Sequence, residues 1–191
     1  MPLTHRLNST AAIRIWIPWN GGRVLEECAD IAYAKLIIKT SGFITKEWYP
    51  FFYTVRREGE TLQDAYEDGK ISRVGKRIYD IVSDGHVALH EIKTLGQFRK
   101  EDKVNFDRAM IELQMGMYTT MTGRKRKRNR FGEEYGWNST VFTTVENFWS
   151  ERGYSIPELN ATDCYVKIRQ QILRLKPTWD QRTIRKFITG S

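Results

Sequence analysis

The chain has 191 residues, 40% hydrophobic and 13% aromatic with only 5 prolines, a composition that supports a packed core and excludes a disordered polymer. No run reaches the roughly 20 apolar residues of a membrane span, and Met1-Pro2-Leu3-Thr4-His5-Arg6 opens a mixed stretch, not an apolar signal core. The net charge of +8 asks for an anionic partner, and Cys28 and Cys164 are too far apart in sequence to indicate a disulfide framework or a zinc site, so a cytoplasmic protein without metal or cofactor is expected.

After a loop-like start with Trp16, Pro18, Trp19 and Gly21-Gly22, Val24, Cys28, Ile31 and Ile38 follow helical spacing, and Leu25, Ala32 and Leu36 widen the apolar face. The pattern predicts a helix over Arg23 to Thr40, stopped by Ser41-Gly42. A second helix is expected from near Thr45, carrying Trp48, Phe51, Phe52 and Val55 at i, i+3, i+4 and i+7, with Pro50 favouring a later start. The polar stretch from Gly59 to Gly69 holds one short helical turn around Leu62 to Tyr66.

Ser72 to Val82 reads as an amphipathic helix through Val74, Ile78, Ile81 and Val82, broken by Ser83-Asp84-Gly85. Val87 to Leu95 reads as a short helix that ends at Gly96. Asn105 to Met117 reads as a third, with Phe106, Ala109, Met110, Leu113 and Met117 on its apolar face. Strand-like Met117 to Thr122, a basic tip, and strand-like Trp137 to Thr144 follow, the last rich in β-branched residues. Three helices and then a two-stranded hairpin is the order of a winged helix-turn-helix. The tail is helical again, through Tyr165, Ile168, Ile172 and Leu175, and then, after a capping box at Thr178-Trp179-Asp180-Gln181, through Ile184, Phe187 and Ile188. The expected fold is α+β and mostly α: a winged-helix core (71–150) between N-terminal (1–70) and C-terminal (151–191) helices, packed as one unit.

The basic tip carries the strongest functional signal. Six of the seven residues from Arg124 to Arg130 are basic, namely Arg124, Lys125, Arg126, Lys127, Arg128 and Arg130, against a net charge of +8 for the whole chain. Like charges this close repel, so the run is costly unless a polyanion meets it. A solvated loop without a partner is the plain alternative, as is an import signal in a eukaryotic host. As a wing, the run would lie along the phosphates of double-stranded DNA or enter a minor groove, which suits the arginine fork. Such contacts hold register without reading sequence. Any specificity would fall to the third helix, where Asn105 and Arg108 could reach base edges and Lys103 phosphate; a solvated helix face is the alternative. Glu133-Glu134 would temper the charge.

The chain also carries Ile31-Ala32-Tyr33-Ala34-Lys35, Gly42-Phe43-Ile44-Thr45-Lys46-Glu47-Trp48-Tyr49-Pro50-Phe51-Phe52, Leu113-Gln114-Met115, Arg128-Asn129 and Gly132-Glu133-Glu134-Tyr135-Gly136-Trp137. Together these segments resemble the AlkZ-related group of short bacterial proteins, over roughly residues 13 to 150 and more faintly the tail. Larger members of the AlkZ (YcaQ) family are winged-helix DNA glycosylases that excise alkylated bases with a Gln-x-Gln or Gln-x-Asp motif and no metal. This chain is only about half as long as those enzymes, so the resemblance implies a DNA-binding winged helix, in repair or regulation, more strongly than it implies catalysis. The matching motif here is Gln114-Met115-Gly116, in which Gly116 leaves the pair incomplete and Gln114 is the candidate catalytic residue.

Other signals are weaker. Trp48, Phe51 and Phe52 are expected in the core, leaving Tyr49 and Tyr53 as the more exposed aromatics, and Trp16 and Trp19 could line a cleft or anchor the start. His86 and His90 are four apart with Glu91 adjacent, a spacing compatible with metal binding but lacking a third ligand. Asp64, Glu67, Asp68, Asp80 and Asp84 cannot be paired for acid–base work from sequence.

Overall fold

The protein is described by a computed structural model covering residues 13–14, 30–37 and 40–190. Strands β1 (Ile13–Arg14), β2 (Ile31–Ile37) and β3 (Thr40–Thr45) form an antiparallel sheet in the order β1-β3-β2. This corrects the helix expected over Arg23 to Thr40. Ala32, Ala34 and Leu36 are buried, whereas Ile31, Tyr33 and Lys35 between them are half-covered, so the operative period is two. Gly42 stops no helix; it pairs with Ala34 inside the ladder. The earlier part of that expected helix, with Val24, Leu25 and Cys28, lies outside the described residues, as do Ile38, Trp16 and Trp19.

Helix α1 (Tyr49–Arg57) has Pro50 in its first turn, where a missing N–H costs nothing. Phe52 and Val55 are buried as expected, but so is Tyr49, whose ring meets Trp149 edge-on at 5.1 Å. The expectation that Tyr49 is exposed is thus corrected: α1 is covered on more than one side, so its apolar face is wider than one stripe. Helix α2 (Leu62–Glu67) starts with a Thr61–Asp64 capping box and α3 (Arg73–Ser83) with Ser72 capping Gly75 N–H at 3.1 Å. Val87 and Ala88, expected as the start of a helix, instead form a short strand, β4 (Val87–Ala88), because they pair with Phe142 and Val141. Helix α4 (Leu89–Leu95) follows at once, its first turn closed by Ala88 N–H donating to Glu91 Oε2 at 2.8 Å.

Helix α5 (Lys103–Met115) buries Phe106, Ala109, Met110 and Leu113. Then come β5 (Thr119–Arg128) and β6 (Glu134–Thr144), which with β4 make a second antiparallel sheet in the order β4-β6-β5. Both strands run further than expected. From Arg124 to Arg128 the basic run is the outer half of β5, and Arg130 lies in the turn at the hairpin tip.

Helix α6 (Val145–Ser150) continues from β6, and α7 (Ala161–Leu175) and α8 (Gln181–Thr189) close the chain. On α7, Cys164, Ile168 and Ile172 face inward and Leu175 does not. The cap of α8 is Asp180, which accepts Thr183 N–H at 2.9 Å, rather than a box begun at Thr178.

The architecture is α+β, with two apolar clusters among the described residues. One gathers Leu36, Phe52, Trp149, Ile168 and Phe187 around α1; the other gathers Ile78, Ile92, Phe106, Leu113 and Phe142 between α3, α4, α5 and the base of the second sheet. Arg56 ties elements together with all five of its N–H groups. Nε donates to Ile188 O, Nη1 to Lys35 O and Met115 O, and Nη2 to Leu36 O and Phe187 O, at 2.8–3.0 Å. These carbonyls lie on β2 and on the last turns of α5 and α8, where helix carbonyls lack internal partners. Burial lowers the Arg56 pKa to about 10, still high enough to keep the cation at neutral pH.

Candidate nucleic-acid interface

In a strand lying on a core, buried and exposed residues alternate. From Thr119 to Gly123 β5 is almost wholly covered, and Val141 to Thr144 of β6 are buried beside it. Every residue from Arg124 to Asn138 is exposed, on both faces of the ribbon. The outer half of the hairpin therefore stands off the body. The tip is a turn in which Gly132 N–H donates to Asn129 O at 3.0 Å, with Gly132 at φ 83°. Asn129 Oδ1 accepts from Phe131 N–H at 2.9 Å and Glu133 N–H at 3.0 Å, so the side chain holds the turn that its sequence position begins.

All six basic residues of the run are on this projecting part. Lys125 is bound to α4, its ammonium 2.6 Å from Glu91 Oε1. Arg128 lies 3.6 Å from Glu134 across the ladder, so one of the two expected tempering glutamates pairs with an arginine; the other, Glu133, takes an N–H from the Asn129 amide at 2.9 Å. Arg126, Lys127 and Arg130 have no carboxylate partner among the described residues, although Arg130 lies over the Phe131 ring at 4.7 Å. A groove of about 400 Å³ runs between α4 and the ribbon, bordered by His90, Thr94, Lys127 and Tyr135.

Lys103, Asn105 and Arg108 lie exposed on the first turns of α5. No hydrogen bond or ion pair among the described residues joins them to the ribbon, so they form a second, separate polar patch. Gln114 is only 8% exposed, and its amide donates to Met110 O, one turn back on its own helix, at 2.6 Å. A Cβ on Gly116 would come within 2.6 Å of the Tyr118 ring, so the place of a second glutamine is filled by that ring.

A wider cleft of about 1130 Å³ lies elsewhere, between α1, α6 and the segment before α7. Sequence reasoning missed it because its parts are 93 residues apart. Tyr53 O–H donates to Glu146 Oε1 at 2.9 Å, and Arg57 Nη1 reaches the same oxygen at 3.1 Å. Arg57, 6% exposed, also sits 3.9 Å from the Tyr118 ring centre. Burial, opposed by Arg57 and assisted by Glu146, raises the Tyr53 pKa, which keeps the phenol a proton donor. No hydrogen bond to Glu146 Oε2 is made among the described residues. His86 is bound otherwise than for metal, to Thr122 Oγ1 at 3.0 Å and to Glu151 at 2.8 Å, and no cluster of three metal-ligating side chains exists among the described residues.

Among the described residues the architecture is α+β with two small sheets. The sequence profile described as AlkZ related matches residues 16–189, so the chain belongs to the AlkZ-related family. Among solved structures, the Streptomyces sahachiroi DNA glycosylase AlkZ is similar over 86% of this chain and 48% of its own, with 12% identity and a TM-score of 0.43. The chain thus spans about half the length of that relative. No curated protein sequence matches. No helix among the described residues is long and apolar enough to cross a membrane.

Proposed function

We propose that this protein is a DNA-binding winged-helix member of its family, in repair or regulation, whose β5–β6 ribbon is the wing. The order α3–β4–α4–α5–β5–β6, with strands ordered β4-β6-β5, supports that architecture within residues 71–150, the helices on either side packing onto it. The observation that carries the proposal is that the six cations stand on a ribbon exposed on both faces, away from the core. Arg124, Arg126 and Arg128 offer guanidinium forks, and Lys125, Lys127 and Arg130 further positive charge, to phosphate oxygens. Lys103, Asn105 and Arg108, at the start of the third helix of the motif, would meet the same duplex in a groove. Binding to a duplex oligonucleotide, measured against salt for wild type and an Arg124→Ala/Arg126→Ala/Arg128→Ala variant, tests this. The proposal expects a shallower salt dependence in the variant and is wrong if the two coincide.

A second reading, a metal-independent DNA glycosylase, is favoured by one observation, the Glu146 carboxylate at the cleft with its Oε1 held by Tyr53 and Arg57. There Glu146 would accept a proton from the water that replaces the base at the sugar C1′. Gln114, whose amide is spent on Met110 O, would contribute only after changing rotamer. Incubation with duplexes carrying N-alkylated purines, followed by abasic-site detection, tests it. Product lost in Glu146→Gln supports catalysis at the cleft. Product lost only in Gln114→Ala moves the chemistry to α5, and no product across several lesions removes the reading.

A further inference from the structure

Trp137 is 95% exposed, the most exposed of the large apolar side chains among the described residues, and Phe131 at 72% and Tyr135 at 52% share its ribbon. An indole left in water forgoes the burial that makes tryptophan a dominant core and interface residue. The backbone explains how it is held out. Lys125 pairs with Ser139 and Lys127 with Tyr135, so Arg126 alone faces three residues, Gly136, Trp137 and Asn138. Gly136 adopts φ 74°, while a Cβ there would meet nothing within 4 Å, so its backbone freedom and not lack of space accounts for the glycine. Bulges of this kind re-aim a side chain away from the regular pleat. Phe131 differs, because the Arg130 guanidinium already covers its ring.

We infer that Trp137 stacks on an unpaired nucleobase, so that the protein favours DNA with a bulged or gapped site over a continuous duplex. The inference rests on the proposed DNA binding and adds the kind of DNA preferred. A bare indole opposite Arg126, on a ribbon of six cations, matches a partner that offers phosphates and flat apolar faces together. A stacked duplex exposes its base faces only after costly unstacking, whereas an unpaired base offers one at little cost.

The test compares a continuous 20-base-pair duplex with the same duplex carrying one extrahelical 2-aminopurine, using fluorescence anisotropy for affinity and 2-aminopurine emission for stacking. Wild type is expected to bind the bulged DNA about tenfold more tightly, the scale of one aromatic–base stack, and to quench the probe. Trp137→Ala should lose that preference and the quenching, with unchanged duplex affinity, salt dependence and melting temperature, and Trp137→Phe should restore part of both. Equal preference and quenching in wild type and Trp137→Ala would overturn the inference, while salt-dependent duplex binding by both would leave the DNA-binding proposal standing. If wild type binds neither DNA, that proposal fails and the inference with it. Trp137-dependent binding to poly-glutamate but not to bulged DNA would also overturn it, in favour of an acidic protein partner.

Discussion

Removing Arg126, Lys127 and Arg130, which have no carboxylate partner among the described residues, should change the salt dependence of DNA binding by a calculable amount. Each phosphate contact contributes about −0.9 to the slope of log K against log salt. If Lys125 and Arg128 stay with Glu91 and Glu134 and the other four cations reach phosphates, the slope is about −3.6; with all six engaged it is about −5.4. Between 50 and 200 mM salt, wild type should therefore lose about 150-fold to 2,000-fold in affinity. The Arg126→Ala/Lys127→Ala/Arg130→Ala variant should have a slope shallower by about 2.7 and lose roughly 40-fold less over that range. Glu91→Gln should act in the opposite direction. It keeps an acceptor for Ala88 N–H but releases Lys125, steepening the slope by about 0.9 if that lysine then reaches a phosphate. Fluorescence anisotropy titrations across a salt series read both effects. A triple variant with the wild-type slope would refute the placing of phosphate contacts on this ribbon.

Two further predictions concern the scaffold. Arg56→Met keeps much of the aliphatic stem but leaves five carbonyls without their donors, which should cost about 3–5 kcal/mol and lower the melting temperature by about 6–20 °C; a shift under about 2 °C by calorimetry would contradict the keystone role. The acid limb of stability should follow three capping carboxylates. The Thr61 side chain and N–H hold Asp64 below its ordinary pKa, and Thr183 does the same for Asp180. Glu91 is also held low: burial opposes this, and the Lys125 ammonium and Ala88 N–H outweigh it. Because the folded state binds these protons more weakly than the unfolded chain, the stabilisation is present above the ordinary carboxylate range and is lost as pH falls below about 4. Asp64→Asn, Asp180→Asn and Glu91→Gln together should flatten melting temperature against pH between about 5 and 2; an unchanged acid limb would count against the caps.

How much of this was legible in the sequence follows from where local and tertiary preferences agree. The helices of α1, α3 and α5 were readable because their apolar spacing matches the faces that the two clusters bury. The β2–β3 hairpin was not, since Ala32, Ala34, Lys35 and Leu36 are good helix formers; pairing with β3 and burial of alternate residues override that preference. Val87 and Ala88 read as the start of α4 because only Val141 and Phe142, more than fifty residues away, make them a strand.

The basic run announced itself by charge alone, but its standing off the body could be seen only once exposure on both ribbon faces was known. Trp137 read as the first residue of a strand. The signal available was the preceding Gly136, a residue that weakens strands and often marks a bulge. The pairing of Tyr53 and Arg57 with Glu146 had no local signature at all, because α1 and α6 meet only in the fold.

The most direct measurement is amide hydrogen exchange of the full chain with and without duplex DNA. If a cationic ribbon grips the phosphate backbone, residues 124–138 should exchange rapidly in the unbound protein beyond the laddered pairs and become protected on adding DNA, with smaller protection at the start of α5. Protection confined to the Glu146 cleft, or no change anywhere along β5 and β6 while DNA is bound, would contradict it.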